Sequence, residues 1–182
     1  MTKKNSFNEE FPRSGSVLFN FNSQDEVSKK KTLNRWKKMN KYIVIPLYRA
    51  KLLPLFGFGR IFLLLKTKGW KTGKIRRTPL EYRHYEDEII IFAARGENAT
   101  WIKNMRAYPN NVEVTIGFHT FKAHIEFVSG VNQKLKMLKW YIAKYTKAAK
   151  MLFGWDPEND DLETSNFDKL VHLLSIVIVH KD

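Results

Sequence analysis

The stretch 59–79, GRIFLLLKTKGWKTGKIRRTP, concentrates Lys66, Lys68, Lys71, Lys74, Arg76 and Arg77 around Gly69 and Gly73. The chemistry such residues offer is anion binding. Lysine supplies a point charge, and arginine a planar fork for phosphate or carboxylate oxygens. Glycines let the backbone reach positive φ and approach closely, so N–H groups could face the same anion. A basic turn with all its charges in water is the plainer alternative. Two further pairs have helical spacing: Trp101 with Asn104, three apart, and Tyr141 with Tyr145, four apart. Each pair falls on neighbouring parts of one helix surface. The histidines at 84, 119, 124, 172 and 180 show no metal-ligand spacing with carboxylates, and no Ser-His-Asp constellation is evident. Gly57-Phe58-Gly59 lacks the third glycine of a dinucleotide loop, which argues against a nicotinamide Rossmann site.

Composition narrows the setting. The chain has 182 residues, 43% hydrophobic and 14% aromatic, enough to bury a core and too apolar for disorder. It contains no cysteine, no uninterrupted apolar run of about 18 residues and no apolar core near its N-terminus. The expected location is cytoplasmic, with the inner membrane surface as a second site. A net charge of +14 suits nucleic acid, an anionic membrane surface or a polyanionic small ligand. The basic residues are spread along the chain and the aromatic ones follow core periods, so no specific nucleic-acid partner is expected. The apolar-basic segment 35–66 and a lysine-rich helix at 132–153 are compatible with peripheral membrane association. The oligomeric state is expected to be monomer or homodimer.

The elements that position these residues follow from periodicity. Residues 1–30 are polar, with Phe11, Phe19 and Phe21 scattered through them, and read as a flexible N-terminal arm. Residues 31–182 read as one domain. Lys31–Tyr42 has helical spacing, and 43–60 is broken by Pro46, Pro54, Gly57 and Gly59 into short turns. Ile61–Leu65 is a buried strand, and 75–85 and 88–94 are strands around a Glu86-Asp87 turn. Asn98 reads as the N-cap of a short helix carrying Trp101, Ile102 and Met105. Residues 112–116 and 121–127 alternate as a hairpin, 132–153 is an amphipathic helix, and 175–180 is a final strand. The fold class is α+β, mostly antiparallel, with about six strands and flanking helices. Closure into a barrel would remove the exposed edges.

Specific strings sharpen this picture. Residues 69–80, GWKTGKIRRTPL, resemble the G-R-K-T-G-x-x-R-x-T-P-L signature of the deazaflavin (coenzyme F-420)-dependent nitroreductase and quinone reductase family, with Trp70 in place of its arginine. Residues 95–109 resemble that family's R-G-x-x-A-x-W-x-x-N-x-x-A-x-P block, and 40–55, with Pro46-Leu47-Tyr48-Arg49, is similar to its segment ahead of the first strand. The resemblance implies the flavin-binding split β-barrel and a hydride-transferring oxidoreductase using coenzyme F-420, an 8-hydroxy-5-deazaflavin, toward a quinone or nitro acceptor. It implies that Lys71 and Arg76 hold the cofactor phosphate together with Thr72 and Gly73, that Thr78 and Pro79 lie along the cofactor, and that Ala94 and Arg95 stand at cofactor positions. Trp101 and Asn104 are cofactor candidates, with core anchoring and backbone ordering as their alternatives. Tyr141 and Tyr145 are candidates beside the acceptor. Flavin mononucleotide (FMN) is the alternative cofactor, and a non-catalytic basic protein binding nucleic acid or anionic membrane the alternative function.

Overall fold

Seven strands form one antiparallel sheet: β1 (Phe62–Lys68), β2 (Ile75–Glu81), β3 (Arg83–Tyr85), β4 (Glu88–Ala93), β5 (Glu113–Ile116), β6 (His119–Phe127) and β7 (Ser175–Lys181). They come from a computed structural model that describes residues 10–182. The spatial order is β2-β1-β5-β6-β7-β4-β3. Its two ends, β2 and β3, are separated in sequence by Tyr82 alone, so the sheet curls until its edges meet in one extended segment. This is the split β-barrel expected from the sequence. The strand count differs from six because 75–85 is two strands. Up to Glu81 the segment pairs with β1, and from Arg83 it pairs with β4. Tyr82 stands at the switch, 4% exposed, its amide donating to the Ile61 carbonyl and its hydroxyl to the Gly59 carbonyl at 2.9 Å. Burial pushes that hydroxyl above the usual tyrosine pKa, so it stays a neutral donor.

The interior is filled by Leu63, Leu65, Ile91, Val114, Val177 and Val179 from alternate strand positions, with Trp101, Ile102 and Met105 from a helix. Strand periodicity sets this pattern, since every second side chain faces the core. The sheet belongs to a compact unit formed by residues 31–128 and 175–182. The unit also holds most of α2 (Glu26–Met39), a π-helical turn Asn40–Val44, α3 (Ile45–Arg49), α4 (Leu52–Leu55), a 3-10 turn Phe58–Arg60 and α5 (Thr100–Ala107). Tyr48 of α3 ties the sheet's end together. Its hydroxyl accepts from the Gly117 amide at 3.1 Å and donates toward the carbonyls of Phe62 and Thr115 at 3.0 and 3.2 Å. Asn98 does not cap α5: the capping position is Ala99, and Asn98 ends a 3-10 turn, Gly96–Asn98.

A second unit joins the described residues up to Lys30 with residues 129–174. It contains α1 (Val17–Ser23), α6 (Val131–Lys144), α7 (Thr146–Phe153) and α8 (Asp168–Leu173). The expected helix 132–153 is two helices with Tyr145 between them, at φ −124° and ψ 52°. Of the stretch expected as an arm, residues 1–9 lie outside the described residues, and the rest carries structure. Ser16 caps α1 through a bond from the Phe19 amide, Phe11 is 1% exposed with its ring 5.2 Å from that of Phe167, and Arg13 makes a two-pronged contact to Asp160 at 2.6 and 2.7 Å. Among the described residues no helix is long and apolar enough to cross a membrane.

Candidate functional site

The basic connection between β1 and β2 is a tight turn closed on itself. The Gly69 amide donates to the Lys74 carbonyl at 2.9 Å, and the Thr72 and Gly73 amides both donate to the Gly69 carbonyl, at 3.2 and 2.8 Å. Gly73 sits at φ +65°, a conformation side chains rarely adopt. A Cβ on Gly69 would stand 3.1 Å from the Lys74 carbonyl oxygen. The glycines therefore serve the turn itself. The amides of Thr72 and Gly73 are committed within it.

Those side chains are sorted by strand register. Arg76 stands opposite Thr67 and Thr78 opposite Leu65, whereas Arg77 stands opposite Lys66 and Pro79 opposite Leu64. Paired residues share a face. Arg76 and Thr78 thus lie on the face that carries Leu63, Leu65 and Thr67, and Arg77 and Pro79 lie on the other. There Lys66 is engaged by Glu113 at 2.9 Å. On the first face the Arg76 guanidinium reaches back to the Thr72 hydroxyl at 3.4 Å, so Thr72 and Arg76 are brought together across the turn. Lys71 is exposed, with its ammonium 4.8 Å from the centre of the Trp70 ring, and Lys103 approaches that ring at 5.8 Å. Trp70 is thereby a platform between two cations, a geometry worth a fraction of a kcal/mol to about 1 kcal/mol at an exposed site.

What holds the turn in place is a buried polar bridge. Asn104 of α5 is 2% exposed; its carbonyl oxygen accepts from the Trp70 amide at 3.0 Å and its amide donates to the Thr67 hydroxyl at 3.1 Å. Thr67 is itself 1% exposed, on a strand position that otherwise carries leucine. Asn104 is therefore engaged in ordering backbone, one of the two roles open to it from the sequence. Sequence reasoning passed over Thr67 and Lys103. The signal for Thr67 was a polar residue continuing the inward alternation of Leu63 and Leu65.

The remaining candidates divide. Trp101 is 8% exposed within the barrel core. Ala94 is exposed just after β4, and Arg95, partly buried, precedes the 3-10 turn that leads to α5. Within that turn, Glu97 accepts a two-pronged contact from Arg106 at 2.7 and 2.8 Å and a bond from Ser175 at 3.0 Å. Tyr141 and Tyr145 belong to the second unit. Tyr141 is 3% exposed, its ring 5.2 Å from that of Tyr145 and 6.2 Å from that of Phe153, so it is not a water-facing tyrosine. Tyr145 is partly buried and also meets Trp140 edge-on at 5.8 Å. Among the described residues no group of three or more His, Asp or Glu is arranged to hold a metal ion.

The turn fits an anionic cofactor group on its chemistry. Lys71, Thr72 and Arg76 present two cations and a hydroxyl from one braced connection, and no Asp or Glu occurs anywhere in 27–80 to compete for them.

Residues 55–150 match the family model described as F420H(2)-dependent quinone reductase. No curated protein matches the sequence. Among solved structures, the chain is similar to an F420-H2 dependent reductase at 22% identity, covering 66% of this chain and 95% of that one, with a TM-score of 0.44. It is similar to a protein solved as a domain-swapped dimer at 19% identity, over 75% and 98% of the two chains, with a TM-score of 0.45. It is also similar to a FAD-binding protein from Mesorhizobium loti at 15% identity, over 67% and 81%, with a TM-score of 0.43.

Proposed function

The chain belongs to the F420H(2)-dependent quinone reductase family and is an F420-dependent oxidoreductase, and from that premise we propose that it passes hydride from reduced coenzyme F-420 to a quinone or nitro-type acceptor. The observation that carries the binding site is the braced basic turn, in which Arg76 meets Thr72 at 3.4 Å over a loop tied to Asn104. Lys71 and Arg76 would hold the cofactor phosphate, with Thr72 fixing the guanidinium. Thr78 lies two residues further along the same strand face, and Arg95 would add a second positive contact. Pro79 and Ala94 would contribute apolar surface beside the ring. When bound, the cofactor supplies the hydride from its deazaflavin ring.

The protein's part is then to hold and orient the reacting groups, an effect that can account for much of a barrier without an acid/base pair. Reduction of a quinone by hydride also consumes a proton. Solvent is proposed to deliver it. FMN, which also carries a phosphate, is the competing cofactor for the same turn.

The acceptor is tested by anaerobic oxidation of reduced F-420 in the presence of a naphthoquinone or a nitroaromatic compound. Turnover with either supports the proposal, and turnover with neither refutes it.

A further inference from the structure

Segment 27–80 has no acidic residue and holds half of the chain's 32 lysines and arginines. Within it the backbone turns so often that apolar side chains cannot all face inward. Lys51 takes a left-handed conformation, φ 62°, and α4 is a single four-residue turn whose Pro54 faces in and is buried. Leu55 and Phe56, on the other side of that turn, are 69% and 76% exposed. Phe58 follows at 47%. Gly59 then brings a second apolar tip alongside. A Cβ there would lie 2.7 Å from the Gly117 Cα, so the β5–β6 turn packs directly on this segment. That turn carries Phe118, 51% exposed, with the Lys51 ammonium 5.6 Å from its ring centre. Exposed Arg49, Lys51 and Arg60 border the patch in sequence. Scattered exposed apolar residues are ordinary, but large ones grouped on adjoining turns with cations around them mark an interaction surface.

We propose that this patch docks the protein on an anionic lipid bilayer, with Leu55, Phe56, Phe58 and Phe118 entering the acyl boundary while Arg49, Lys51 and Arg60 stay among the headgroups. Aromatic and aliphatic tips with basic stems are the chemistry of surface-bound, non-spanning membrane proteins. Each basic residue near an anionic surface adds to the attraction. A second copy of the chain is a poorer occupant. It would set Arg49, Lys51 and Arg60 against their own kind, with no carboxylate in the segment to pair with them. This inference goes beyond the proposed reaction and does not depend on it.

The test is co-sedimentation of the full chain, without cofactor, with vesicles of phosphatidylcholine containing phosphatidylglycerol and with phosphatidylcholine alone. Binding should be at least roughly tenfold tighter to the anionic vesicles and weaken with added salt. The double variant Leu55→Ser/Phe56→Ser should lose at least roughly tenfold in affinity through lost apolar burial, with wild-type circular dichroism and melting temperature. Met151→Ser, which removes an apolar side chain 59% exposed on α7, should bind as wild type. Equal binding to both vesicle types, full binding by the double variant or an equal loss in Met151→Ser would overturn the proposal. So would a wild-type dimer that the double variant dissolves while neither form binds vesicles, because the patch would then be a contact between copies.

Discussion

Replacing Lys71 or Arg76 by alanine is expected to weaken coenzyme F-420 binding by roughly ten- to a hundredfold, because each would lose the proposed charge-assisted contact of about 1.5–3 kcal/mol. Lys74→Ala and Arg77→Ala, equal charge changes in the same connection, should leave affinity within roughly threefold, as expected of screened surface charge. Register is the reason for the contrast. Arg76 lies on the face of Thr67 with its guanidinium steadied by Thr72, whereas Arg77 stands opposite Lys66 on the other face. Arg76→Lys should recover only part of the loss, since an ammonium cannot reproduce a two-pronged contact. Titration of the four variants at two salt concentrations separates the readings. A diffuse basic surface makes all four behave alike and respond alike to salt.

The second large effect should come from a residue with no charge. Asn104→Ala removes the acceptor for the Trp70 amide and leaves the Thr67 hydroxyl, 1% exposed, without its donor. An orphaned buried polar group costs about 1–3 kcal/mol. For a chain of this size the melting temperature should fall by roughly 3–10 °C. F-420 affinity should fall with it, because the basic turn loses its tie to α5. Thr67→Val tests the same bridge from the other end. If the two positions act through one bridge, the double variant costs less than the sum of the single ones. A cofactor contact by Asn104 with no bracing role would instead lower affinity while leaving the melting temperature unchanged and the two substitutions additive.

Local pattern carried much of the fold. The alternation of Leu63 and Leu65 and of the 113–127 hairpin follows directly from inward and outward positions, and those strands stand where the periodicity puts them. The division of 75–85 at Tyr82 could not be read locally, because it is a change of partner, from β1 up to Glu81 to β4 from Arg83. The break in 132–153 is equally silent: Tyr145 is neither proline nor glycine, and its φ and ψ answer to packing with Trp140 and Tyr141. The seating of Phe11 on Phe167 and of Arg13 on Asp160 joins residues far apart in sequence, which no short window can reveal.

The candidate site divides along the same line. The cations and glycines of 66–77 were legible as an anion-binding composition. Which of them face together required the register, and what steadies them required the Thr67–Asn104–Trp70 bridge, a contact between a strand, a helix and a turn. The commitment of the Thr72 and Gly73 amides to the Gly69 carbonyl could not be read from residue types either.

The central claim is that this basic turn belongs to a deazaflavin site, and parallel fluorescence titration of the purified protein with coenzyme F-420 and with flavin mononucleotide tests it most directly. Both ligands offer a phosphate to Lys71 and Arg76, but F-420 also carries an oligoglutamate tail, so a preference that persists at raised salt reports on the whole site rather than on charge alone. The account predicts tighter binding of F-420, by roughly tenfold or more if a single additional contact distinguishes the two. Equal affinities, or tighter binding of flavin mononucleotide, would contradict the cofactor assignment and leave only the fold.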